Sequence, residues 1–156
     1  MLHKNRKLVK AAAVTVFIVY VCCLIYFLFF SERYGRNDAA SYYRYNLRPF
    51  KEITRFWTYR DIIGFEMVMV NLVGNVAVFM PFGFLLPAIY EPLKKWYAII
   101  LVGMWFSIII ECVQLITKVG TMDVDDVILN VTGVMLGLVF YKFCSFCMKK
   151  RCKAGA

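Results

Sequence analysis

LVKAAAVTVFIVYVCCLIYFLFF, residues 8–30, is a run of 23 residues broken only by Lys10 near its start. About 20 consecutive apolar residues cross the roughly 30 Å of hydrocarbon in a bilayer when helical. Lipid offers no partner for backbone N–H and C=O groups, so a helix is the form such a run must take. His3, Lys4, Arg6 and Lys7 precede it, as basic residues precede a secretory signal. The run is nevertheless longer than the roughly 7–15 apolar residues of a signal, and no small-residue cleavage site follows it. It reads as a signal anchor.

Three further runs extend the same reading: 65–87, 97–117 and 127–146. The whole chain has 156 residues, room for a single domain over 1–156, and it is 62% hydrophobic with a mean hydropathy of +0.64. Soluble domains sit nearer half apolar. The expected fold class is all-α: a polytopic membrane helical bundle of about four transmembrane helices. Residues 31–64 are polar and of mixed charge, but Phe50, Ile53, Phe56 and Trp57 recur there at helical spacing between Lys51, Arg55 and Arg60. That pattern fits a short interfacial helix in the first outer loop, with its basic chains snorkelling outward. An ordinary solvated loop is the alternative.

The formal charge is +9. Because the cationic residues lie between apolar runs, they suit anionic lipid head groups and make nucleic acid an unsuitable partner. Eleven Lys and Arg fall on the side of the two termini and eight on the other. The positive-inside rule therefore puts both termini of this multi-pass chain in the cytoplasm, as in a plasma-membrane protein. Of the six cysteines, Cys144 and Cys147 have the spacing of half a zinc site, but no second pair accompanies them and the lone histidine is His3.

Polar side chains within a span cost about 2.5–3.5 kcal/mol for a central charge, so their positions carry information. Asn71 and Asn75 share one face of the second span, and Ser107, Glu111 and Gln114 share one face of the third. Asp126, Asn130, Gly133 and Gly137 form a stripe on the fourth that is polar at one end and small further in; the Gly133-x-x-x-Gly137 pair would admit a neighbouring helix closely. Glu111 and Asn71 each lie roughly 9 Å inside the same end, with Asp123, Asp125 and Asp126 at the mouth. One shared site at that end is expected, with interhelical hydrogen bonding as the bland alternative. Pro81 is expected to kink the second span.

Tyr45-Asn-Leu-Arg-Pro-Phe50, Asn71-x-x-Gly-Asn75, Phe79-Met-Pro-Phe-Gly-Phe-Leu-Leu-Pro87, Glu111-x-x-Gln114 and Asp123-Val-Asp-Asp-Val-Ile-Leu-Asn130, followed by Gly133, occur in this order over residues 45–141. In these segments the chain resembles the VanZ-like family of bacterial membrane proteins. Many members carry an Arg just before the aspartate run, where this chain has Gly120-Thr-Met; a contact made by that Arg elsewhere in the family is either missing here or moved to Arg48 or Arg44. The resemblance implies resistance to teicoplanin-type lipoglycopeptide antibiotics in Gram-positive bacteria.

The function expected first is binding or modification of a cell-envelope component at the outer leaflet, either a lipid-linked cell-wall component or the antibiotic itself. Arg44 and Arg48 would pair with phosphate or carboxylate. Asn46, Asn71, Asn75, Glu111, Gln114, Asp123, Asp125, Asp126 and Asn130 would complete the ligand-binding set. The alternative is an enzyme on a lipid-linked substrate, with Glu111 as the candidate acid–base. Asp123, Asp125 and Asp126 are then weak candidates for a divalent cation. No other cofactor is expected.

Overall fold

The structure is a computed structural model that describes residues 2–30, 43–90, 95–118 and 120–154. The polar segment 31–42 and residues 91–94 of the second connection lie outside the described residues. Among the described residues, four helices have the length and composition to cross a membrane: α1 (Leu2–Phe30), α4 (Phe65–Ile89), α5 (Trp96–Thr117) and α6 (Val124–Ala154). The described part of the first connection carries two shorter helices, α2 (Lys51–Thr58) and α3 (Arg60–Ile63). The all-α membrane bundle read from the sequence is therefore the observed architecture. Beyond it, among the described residues, stands one two-residue parallel ladder, β1 (Tyr45–Asn46) on β2 (Met122–Asp123), pairing Asn46 with Asp123.

The α4–α6 interface is the most extensive in the bundle; α1 lies against α4, and α5 against α6. Small residues explain the close approach of α4 and α6. A Cβ at Gly133 would collide with the Val76 carbonyl oxygen, at Gly137 with that of Met80, and at Gly83 with that of Val134. Without lipid-excluding pressure between helices, this close van der Waals contact drives their association. Towards the middle, Phe79, Phe82, Ile99, Ile110, Val134, Leu138 and Leu24 form the buried cluster. Phe82 and Phe106 stack there with centroids 5.1 Å apart.

Helix α4 continues as one element through Pro81 and Pro87. A proline removes one backbone donor and leaves the carbonyl four residues earlier without its bond. Beside that turn the Tyr20 hydroxyl donates to the Val78 carbonyl oxygen at 2.8 Å, which ties α1 to α4 across the span.

Helix α6 begins at Val124, three residues before the expected 127. The acidic mouth is the reason. Asp123 Oδ1 accepts the Asp125 N–H at 2.9 Å, the bond of a helix N-cap, and Asp125 and Asp126 occupy the positive end of the helix macrodipole.

Candidate functional site

The three aspartates of the mouth are close in sequence, and the fold sends each to a different partner. Asp123 is buried in the ladder, where its Oδ1 accepts from Asn46 Nδ2 at 3.0 Å while its own N–H donates to Glu111 Oε2 at 2.9 Å. Asn46 in turn accepts the Arg48 N–H on its Oδ1 at 3.2 Å. Burial holds the Asp123 carboxyl above its usual value of 3.8; the like charges of Asp125 and Glu52 add to that, and the bonds from Asp125 and Asn46 oppose it.

Asp125 is only 1% exposed. It accepts the backbone N–H groups of Phe50, of Glu52 at 2.8 Å and of Ile53 at 3.2 Å. These are donors at the N-terminus of α2, which no side chain of its own caps. A carboxylate of the bundle thus closes the first turn of the amphipathic helix. Phe50, the residue before that turn, has φ +64°, a conformation costly for a residue with a Cβ that persists only where its surroundings hold it.

Asp126 turns toward α4. Its Oδ1 accepts from Asn75 Nδ2 at 2.6 Å, and it lines a cavity of about 280 Å³ between α1, α4 and α6. Asn71, Gly74 and Asn75 give this cavity its α4 wall, and Phe27, Leu28, Val78 and Phe79 its apolar side. Asn71 also donates from Nδ2 to the Met67 carbonyl oxygen at 2.8 Å. Val70, Val78 and Phe27 at the rim are 46%, 40% and 58% exposed, so the cavity opens sideways, where lipid would be.

The shared site expected from the sequence is therefore divided in two. Asn71, Asn75 and Asp126 meet at the cavity. Glu111, Gln114 and Asn130 are buried on the α5 side, where Asn130 Nδ2 donates to Ser107 Oγ at 2.9 Å and Gln114 packs over Gly120. Helix α6 sits between α4 and α5, so side chains of one stripe reach to opposite neighbours. Asn130 Oδ1 is buried with no partner among the described residues. Arg44 and Arg48 are exposed, and neither lines the cavity; Arg44 enters through its backbone, its carbonyl oxygen accepting the Met122 N–H at 3.1 Å.

The weak cation candidates Asp123, Asp125 and Asp126 do not converge on a common point. Among the described residues no group of three His, Cys, Asp or Glu is placed to hold a metal ion. Cys144 and Cys147 are free thiols. The contribution of α1 was missed by the sequence reading, because Phe27 and Leu28 lie in a uniformly apolar run. Gly74 carried a signal: a helix-interior glycine between two asparagines, facing open space.

Four spans packed into one bundle, with close glycine contacts between α4 and α6 and polar side chains gathered at one end, define a polytopic helical membrane protein. The sequence makes the class specific. The family model described as VanZ/LLP1 matches residues 17–145, and the chain belongs to that family. It is 31% identical over 127 residues to Protein VanZ of Enterococcus faecium, an alignment that covers 79% of this chain and 69% of that protein. No solved structure matches the chain.

Proposed function

We propose that the chain is a resistance protein of the bacterial plasma membrane that lowers susceptibility to teicoplanin-type lipoglycopeptides by binding an amphiphile of the cell envelope, or the acylated antibiotic, at the outer leaflet. With both termini in the cytoplasm, the Asp123–Asp126 end of the bundle and the amphipathic α2 face outward. Family membership supports the resistance role.

The observation that carries the binding role is the lateral cavity: a polar end of Asn71, Asn75 and Asp126, continuous with an apolar wall of Phe27, Leu28, Val78 and Phe79. Such a division matches a head group joined to a chain. At about 280 Å³ it lies just below the usual range of ligand cavities, which run from about 300 Å³; it would take the head group and leave the chain along the exposed rim. Binding is favoured over catalysis because Glu111, the acid–base candidate, is only 2% exposed and accepts a backbone N–H of β2.

The test is a resistance measurement. Expressed in a susceptible Gram-positive host, the wild-type chain raises the inhibitory concentration of teicoplanin. Gly74→Leu, which fills the cavity where an added side chain meets open space, removes that protection at equal membrane abundance. Full protection by Gly74→Leu would refute the proposal.

A further inference from the structure

Helices α5 and α6 run antiparallel in a fixed register. Asn130 meets Ser107 through its Nδ2, and one turn back along α5 a Cβ at Gly103 would press on the Val134 side chain. Neither Ile100 nor Trp96, the next residues on that face of α5, can continue the close approach that glycine allows. Space opens there instead, as a groove of about 180 Å³ between Trp96 and Ile100 on one helix and Met135, Leu138, Val139 and Lys142 on the other. Its floor is the buried Leu138, and its rim is the exposed Trp96, Met135 and Val139. The groove is apolar along its length and open sideways.

Lys142 closes it at the end of the bundle that carries the two termini. Four residues before the apolar run ends at Phe146, its stem follows apolar surface while its ammonium reaches out to head-group level. By the same register Lys95, at the start of α5, stands opposite Lys142. Trp96 beside it is a residue type of the membrane–water boundary. The charge of this end has one sign: of 19 Lys and Arg the sequence puts 11 on the side of the two termini, and of 10 Asp and Glu only Glu91.

A bare hydrocarbon would fill the groove and give Lys142 no partner. A zwitterionic head group would bring an ammonium of its own to a basic surface. A phospholipid of net negative charge meets both halves of the site, since its chain finds an apolar channel and its phosphate a charge-assisted donor.

We propose that the α5–α6 groove is a binding site for an anionic phospholipid, with part of one acyl chain lying on Leu138 between Trp96 and Val139 and the phosphate accepting from the Lys142 ammonium. The site is separate from the cavity between α1, α4 and α6 and does not depend on what that cavity holds. In the orientation proposed above it draws on the cytoplasmic leaflet.

Native mass spectrometry of the full chain in a neutral maltoside detergent tests this with equimolar dioleoyl phosphatidylglycerol and dioleoyl phosphatidylcholine. The phosphatidylglycerol should be retained about fivefold more, the contribution of one basic side chain near an anionic surface. Lys142→Gln should abolish that preference. Lys149→Gln, which removes an equal charge from an exposed position on α6 outside the groove, should keep it. Val139→Trp, which lays an indole into the groove from its exposed rim, should reduce the phosphatidylglycerol adducts. Gly74→Leu, in the other cavity, should leave the preference intact.

Equal retention of the two lipids by the wild-type chain overturns the proposal, as does a preference that survives Lys142→Gln or adducts indifferent to Val139→Trp. Loss of the preference in Lys149→Gln as large as in Lys142→Gln would show a diffuse attraction to the basic end and overturn the site. Loss in Gly74→Leu would place the lipid in the other cavity and overturn it equally.

Discussion

Asp125→Ala removes the acceptor that closes the first turn of α2. Three backbone N–H groups, of Phe50, Glu52 and Ile53, lose their partner at once. A hydrogen bond to a charged group contributes about 1.5–3 kcal/mol, and a donor left buried costs about 1–3 kcal/mol. Water can reach part of this turn, since Glu52 and Ile53 are only half-buried, so the sum for three bonds falls towards the low end, about 3–5 kcal/mol. The loss is local, because α2 contributes no fully buried side chain to the core and the α4–α6 interface does not depend on it. Hydrogen exchange of the protein in nanodiscs is the suitable assay. A local opening made easier by 3 kcal/mol or more speeds exchange about a hundredfold. Amides of residues 50–58 should accelerate to that degree, while those of α6 beyond the first turn keep their protection. Asp125→Asn keeps one acceptor oxygen and should fall between. Unchanged exchange over 50–58 in Asp125→Ala would refute the tertiary cap.

Other expectations follow from the same geometry. Gly133→Val and Gly137→Val each drive a side chain into a carbonyl of α4, and overpacking of this kind costs about 1–3 kcal/mol or more; a lower thermal midpoint in detergent checks it. Glu111→Gln keeps an acceptor for the buried Asp123 N–H, whereas Glu111→Ala leaves it unmade. The alanine variant should therefore be the less stable by about 1–3 kcal/mol, and equal melting of the two would contradict the assignment. Because burial raises the Asp123 carboxyl above its usual 3.8 in the folded state, its contribution to stability is complete below the unfolded-state value and is lost as the pH rises through the folded-state value. Stability measured from about pH 4 upward should show that loss in the wild-type chain and a flatter profile in Asp123→Asn.

The four spans were legible because a run such as residues 8–30 has no stable alternative in lipid. Gly133 and Gly137 announced their role through spacing alone. The acidic mouth was visible as a functional end, but its division among partners was not. Successive residues of a helix point about 100° apart, so neighbouring carboxylates can serve three elements, and sequence holds no record of which neighbour stands where. The tie between Asp125 and α2 spans more than 70 residues, and the short helix shows its amphipathic pattern without showing what holds it. Likewise Glu111 and Asn130 sat at depths suited to the cavity, yet α6 lies between α4 and α5: Asn130 faces α5, and Glu111, on α5, meets the Asp123 backbone instead. The α1 wall of the cavity left no trace in sequence, since Phe27 and Leu28 look like any lipid-facing pair.

The lateral cavity is tested most directly by a photo-crosslinking residue placed at Val78, on its wall, and at Leu101, exposed on α5 away from it. Adducts formed in living cells are identified by mass spectrometry. At position 78 they should be enriched in one amphiphile relative to the bulk lipid and should disappear when Gly74→Leu is added, while position 101 reports bulk composition in both backgrounds. Identical adduct composition at the two positions, insensitive to Gly74→Leu, would contradict the account.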